Sequence, residues 1–95
     1  MLYTFRYSPF HSDIGVILRY MQPGDCLLLI EDGVLAGLTD TAPLEALLAS
    51  SLSVCALQED IEARGLAVRF SDKIPRISYT DFVKLTIEHQ QHFAW

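Results

Sequence analysis

Two acidic stretches, Glu31-Asp32-Gly33 and Gln58-Glu59-Asp60, each follow an apolar run. In an open α/β sheet, chemistry is done in the loops after the strands. Carboxylates from two such loops could work as an acid/base pair or hold a divalent cation. The plainer reading is a solvated acidic rim, with Glu59 and Asp60 complementing the dipole at a helix start, and the dipole preference favours it. Cys26 and Cys55 are the two thiols. A reactive thiol needs exposure and a nearby cation or helix N-terminus. Cys26 opens a leucine run beside Asp25, which disfavours a thiolate, and Cys55 lies between Val54 and Ala56. Both read as small buried hydrophobes. His89 and His92 have a spacing that can supply two metal ligands, with Glu88 adjacent, but no third or fourth partner is evident. His89 reads instead as a packed inner-face residue, and no metal is expected. Gly33-Val34-Leu35-Ala36-Gly37 is neither a dinucleotide fingerprint nor a phosphate loop, and it lacks the lysine of the latter. No cofactor is expected. Trp95 stands last in the sequence. An indole there gains little unless it folds back on its own domain or anchors a partner.

The elements that must position these residues alternate. Leu2 to Arg6 reads as a first strand. Ser12, with Asp13 behind it, is the candidate cap of a helix running to Met21, in which Ile14, Ile17, Leu18 and Met21 share a face. Pro23-Gly24 stops it. Cys26 to Ile30 is a continuous apolar run, the pattern of a strand covered on both faces. Gly33 to Leu38 fits a short helical turn. Thr41 and Pro43 open a helix with Leu44, Leu47 and Leu48 inside. Ser53 to Leu57 is a third strand, and Gln58 to Arg64 a short acidic helix closed by Gly65. Val68 to Phe70 and Ile74 to Ser78 read as fourth and fifth strands, the latter shortened by Pro75. Thr80 caps a last helix with Phe82, Leu85, Thr86 and His89 on one face. This alternation predicts one α/β domain over residues 1–95, a five-stranded, mostly parallel sheet with helices on both faces, giving three α/β/α layers.

Composition excludes several functions. Seven basic residues against 12 acidic give a net charge of −5 over 95 residues. That opposes direct nucleic-acid binding, which depends on Lys and Arg neutralising phosphates. The longest apolar run is far short of the roughly 20 residues that span a bilayer. The sequence start lacks the pattern of a signal peptide. Two cysteines make no disulfide framework, so a reduced cytoplasmic protein is expected. Hydrophobic residues reach 51% and charged ones only 20%. Mean hydropathy is +0.25. A small domain exposes much of its surface, so this surplus points to buried subunit contacts.

Several stretches resemble the TusB/DsrH family. They are Met1-Leu2-Tyr3-Thr4 with Ser8-Pro9; Gly24-Asp25 leading to Glu31-Asp32-Gly33-Val34; Ala56 to Asp60 with Ala63-Arg64-Gly65-Leu66; and Tyr79 to Thr86 with His89 and Ala94-Trp95. The resemblance implies a DsrE/DsrF/DsrH-like fold with a five-stranded parallel sheet. It implies a subunit working with TusC-like and TusD-like chains in a dimer of heterotrimers. Such an assembly relays persulfide sulfur from a TusA-like donor to a TusE-like acceptor for 2-thiouridine at the tRNA wobble position. The same fold also serves DsrEFH complexes of sulfur oxidation, and a free-standing sulfurtransferase using Cys26 or Cys55 is a third reading. In the sulfur-carrying siblings the cysteine ends a strand before a helix that closes with Arg-Gly. Counting back from Arg64-Gly65 places Leu57 there, with Cys55 two residues early. A contact role without a catalytic residue follows, and Asp32, Gly33, Gln58, Glu59, Asp60, His89 and Trp95 are the expected partner-facing residues.

Overall fold

β1 (Leu2–Phe5), β2 (Cys26–Leu29) and β3 (Ser53–Leu57) form the centre of a single sheet in a computed structural model covering residues 1–95. β4 (Arg76–Ile77) and β5 (His92–Ala94) are its edges, in the order β4-β3-β2-β1-β5, and every pairing is parallel. No hairpin can join parallel neighbours, so a crossover links each strand to the next. α1 (Ile14–Tyr20), a 3-10 segment (Glu31–Gly37) with α2 (Ala42–Ala49), and α3 (Gln58–Ala63) make the crossovers from β1 through to β4. α4 (Tyr79–Glu88) then returns from β4 to the far side of β1. Parallel crossovers are right-handed, so reversing the direction of travel moves the connecting helix to the other face. α4 accordingly lies alone on that second face, and no helix is long and apolar enough to cross a membrane.

Alternation along the strands divides the core. Tyr3, Phe5, Leu27, Leu29 and Ala56 point to the first face, into a cluster of 16 buried residues with Ile17, Val34, Leu47, Ile61 and Phe70. Leu2, Cys26, Leu28 and Cys55 point to the second, where Ile77, Phe82 and Leu85 cover them. No residue of α4 is fully buried.

Several boundaries depart from expectation. Asp13, not Ser12, caps α1, accepting from the Gly15 N–H at 2.9 Å. Ser78, not Thr80, caps α4 by accepting from the Asp81 N–H at 3.2 Å. Thr41 occupies the cap position of α2, but its hydroxyl donates to the Leu38 carbonyl at 2.7 Å. Val68 to Phe70 is not a strand: Phe70 makes one antiparallel bridge to Leu38 and plugs the core, while Val68 is 96% exposed. The Ile74 to Ser78 strand shrinks to Arg76–Ile77. The fifth strand is the His92–Ala94 tail, paired with Leu2 to Thr4. Gly65 closes α3 as expected. Its φ is +65°, its N–H donates to the Glu62 carbonyl at 3.0 Å and that of Leu66 to Ile61 at 3.1 Å, the pair of hydrogen bonds of a left-handed helix stop.

Candidate functional site

The carboxyl ends of β2 and β3 bring the two acidic loops together. Beyond β2 the chain turns sharply, with Glu31 in the left-handed region at φ +50°. Its N–H donates to Asp60 Oδ2 at 2.7 Å. Gly33 then passes so close to β1 that a Cβ would stand 1.9 Å from the Phe5 carbonyl oxygen, so no other residue fits. Arg64 Nε donates to Asp32 Oδ1 at 3.1 Å, and its Nη1 lies 3.9 Å from Asp60 Oδ1. Glu59 Oε2 accepts from the Tyr79 N–H at 3.0 Å, at the first turn of α4. Gln58 Nε2 donates to Glu62 Oε1 at 2.7 Å.

The side chains of Asp32, Gln58, Glu59 and Asp60 are therefore engaged with the chain itself. Asp60 ties the β2 loop to α3, Arg64 clamps that junction, and Glu59 ties α3 to α4. A carboxylate so engaged is poorly placed to act as a free general base. Exposed ion pairs of this kind contribute about 0–1 kcal/mol each. The solvated-rim reading fits, with more cross-bracing than expected. Arg64 was not among the expected site residues; its place four residues after Asp60, at the C-cap of α3, was the available signal.

The other expected residues lie apart from the rim. His89 is the C-cap of α4 and is partly buried. His92, on β5, directs Nε2 at the Thr86 and His89 carbonyls, at 2.9 and 2.7 Å, and closes the end of α4. No group of three or more His, Cys, Asp or Glu side chains converges. Trp95 lies on the β5 edge, partly buried, with its ring 5.8 Å from Tyr20 and 5.6 Å from Phe93. With Met1 and Tyr3 these aromatics line an apolar hollow of about 470 Å³. Of the seven expected contact residues, five share the rim, while His89 and Trp95 do not.

The thiols are buried as expected, but they are not independent. Cys26 Sγ and Cys55 Sγ lie 3.9 Å apart, beside a cleft of about 360 Å³ also lined by Ser53, Ile77, Lys84 and Leu85. Hydrogen bonding to Cys55 holds the Cys26 thiol below its usual value, against the opposing effect of burial. Donating that bond, together with burial, pushes the Cys55 thiol up. The neighbouring Asp25 carboxylate accepts from the Gln22 N–H at 2.8 Å and the Met1 amino group at 2.9 Å, and these bonds hold it below the usual range.

Comparison with known proteins adds the kinship. The family model described as DsrH like protein matches residues 7–92. Among curated relatives, Protein TusB of Sodalis glossinidius is 52% identical over 95 residues. Protein TusB of Photorhabdus laumondii is 50% identical and that of Klebsiella pneumoniae 46%. In all three the match covers 100% of both chains. Two solved structures share the fold. Protein Tm0979 from Thermotoga maritima is 25% identical with a TM-score of 0.70, covering 96% of this chain and 97% of that one. The ychN protein from E. coli is 18% identical with a TM-score of 0.74, covering 99% and 97%.

Proposed function

The chain belongs to the DsrH-like family, and from that premise we propose that it is a non-catalytic subunit of a TusBCD-type sulfurtransferase complex. The complex would relay persulfide sulfur from a TusA-like donor to a TusE-like acceptor in the cytoplasm, for 2-thiouridine formation at the tRNA wobble position. TusC-like and TusD-like subunits are its partners, in a dimer of heterotrimers. The full-length likeness to proteins named TusB favours this reading over a sulfur-oxidation DsrH role.

The observation that carries the non-catalytic part is the junction of β3 and α3. A sulfur carrier on this fold requires a thiol at the strand end, open to a donor. Here buried Leu57 occupies that point. The surrounding Asp32, Glu59 and Asp60 are bound to Arg64 and to backbone N–H groups. Both thiols lie instead beneath α4.

Surface chemistry supports work by contact. Tyr79, Val83 and Ile87 recur every four residues along α4, at 59%, 41% and 77% exposure. An exposed apolar stripe of this kind on a small domain is suited to burial against another subunit. The rim residues Asp32, Gly33, Gln58, Glu59 and Asp60, with His89 and Trp95, complete the proposed contact set.

Deletion of the chain from its host, followed by mass spectrometry of tRNA nucleosides, tests the role. Loss of 2-thiouridine, restored both by the wild type and by the double variant Cys26→Ser, Cys55→Ala, is the expected result. A double variant that still assembles but leaves thiolation absent overturns the non-catalytic assignment. Unchanged thiolation in the deletion strain overturns the pathway.

A further inference from the structure

Cys26 pairs with Ser53 and Leu28 with Cys55, so the two cysteines stand two positions out of register on adjacent strands. They face the same side of the sheet with their sulfurs 3.9 Å apart. We propose that Cys26 and Cys55 form a thiol oxidation site, closing reversibly to an intramolecular disulfide on meeting a small-molecule disulfide of the glutathione class.

Proximity and asymmetry support this. Both cysteines are buried, with 7% of their surface exposed, and the cleft beside them, bordered by exposed Ser53 and Lys84, is the route by which the reagent must enter. A dithiol works as a redox pair when one sulfur attacks and the other resolves. Cys26 is the attacking sulfur, because hydrogen bonding to Cys55 and Ser53 favours its thiolate, and the Cys55 sulfur stands 3.9 Å away to resolve it. Cys55 keeps its proton until the second step.

The chemistry balances in two exchanges. The Cys26 thiolate attacks one sulfur of oxidised glutathione, breaks that S–S bond and expels one glutathione thiolate. Cys55 then gives its proton to solvent and attacks Cys26 Sγ, expelling the second glutathione thiolate. The protein dithiol loses two electrons and two protons, and one glutathione disulfide becomes two thiols.

Register determines how firmly the bond is held. Strand spacing and rise place diagonal Cα atoms about 8 Å apart, beyond the roughly 4.4–6.8 Å that a relaxed disulfide spans. Closure therefore needs backbone movement. Cys26 is the first residue of β2, directly after the Gln22–Asp25 turn, and its N–H bond to the Met1 carbonyl, 3.1 Å, is the one that such a movement must disturb. A bond formed under such strain is readily reduced, the property of a labile disulfide rather than a structural one.

The test uses the folded full-length chain and oxidised glutathione, followed by acid quench, unfolding, alkylation and intact mass measurement. The expected wild-type product has lost two hydrogens, resists alkylation at both cysteines and retains no glutathione. Excess reduced glutathione should restore both thiols. Cys55→Ser should retain one glutathione on Cys26, and Cys55→Ala, which lacks the hydrogen-bonding group, should form the same adduct more slowly. Two alkylated cysteines, glutathione retained by the wild type, a covalent dimer, or a bond that reduced glutathione does not open would each overturn the proposal.

Discussion

Leu27 and Leu28 are neighbours on β2 and both are fully buried, yet they enter different environments. Leu27 joins the 16-residue cluster beneath α1, α2, α3 and the 3-10 segment. Leu28 joins Leu2, Cys26 and Cys55, covered by one amphipathic helix that has no fully buried residue of its own. Three successive crossovers close the first face, whereas the second receives only the returning α4. The fold therefore concentrates its own stability on one side and leaves the other to a helix whose outer stripe is also apolar. That asymmetry accounts for a chain with 51% hydrophobic residues better than a loose core would.

Truncation of these neighbours gives the largest effect. Leu27→Ala should cost about 3–5 kcal/mol in denaturant unfolding, and Leu28→Ala about 2–3, because the cost depends on how far the surroundings can collapse into the cavity. α4 can settle, whereas a core braced from several sides cannot. Equal losses at the two sites would break the comparison. Next is removal of Phe93 to Trp95. It deletes most of β5 and the Tyr3–Phe93 and Tyr20–Trp95 ring contacts. About 2 kcal/mol of stability should go, lowering the melting temperature by roughly 8–16 °C. An unchanged thermal transition would mean that the tail contributes nothing to the domain.

A smaller effect separates folding from binding. Ile87→Lys, which puts a cation at the end of α4 where the dipole accepts it, should leave the isolated chain within about 0.5 kcal/mol of wild type, as surface changes usually do. It should weaken capture of TusC-like and TusD-like partners at least about tenfold, or about 1.4 kcal/mol. Undiminished binding would remove the α4 stripe from the interface. The smallest effect is a pH dependence at Asp25. Its folded-state pKa is depressed by the Gln22 N–H and the Met1 amino group. Its stabilisation is thus complete above the unfolded value of about 3.9 and is lost as pH falls through the lower folded value. Asp25→Asn should lose about 1 kcal/mol at pH 7, and its deficit should shrink below about pH 3.9. A deficit that stays constant across the acid range would remove the carboxylate as the cause.

What could be read from the sequence follows the same physics. The Cys26 to Ile30 run, the acidic helix with its Gly65 stop, and the paired acidic loops each carry local signals, and the fold retains them. β5 has no such signal: His92, Phe93 and Ala94 are all exposed, and main-chain pairing with β1 makes the strand. Val68 to Phe70 has strand-like residue types, but one anchor, Phe70 in the core, defines the segment. At the site, Asp32, Gly33, Gln58, Glu59 and Asp60 meet as the strand-loop pattern implied. The Cys26–Cys55 pairing depends on β2–β3 register across 29 positions, which no local pattern encodes. Arg64 was legible only as a partner of Asp60.

The β1–β5 pairing also sets a schedule. Leu2 and His92 are register partners on neighbouring strands, 90 positions apart. At about 5–20 residues per second, synthesis separates the two strands by roughly 5–18 s. Throughout that interval the outer edge of β1 has no partner from its own chain, while β2 and β3 can already dock on its inner edge. Sheet closure is consequently a late, long-range event, of the kind that slows folding. A nascent chain would wait with one open strand edge, and the His92–Ala94 segment is the piece that ends its exposure.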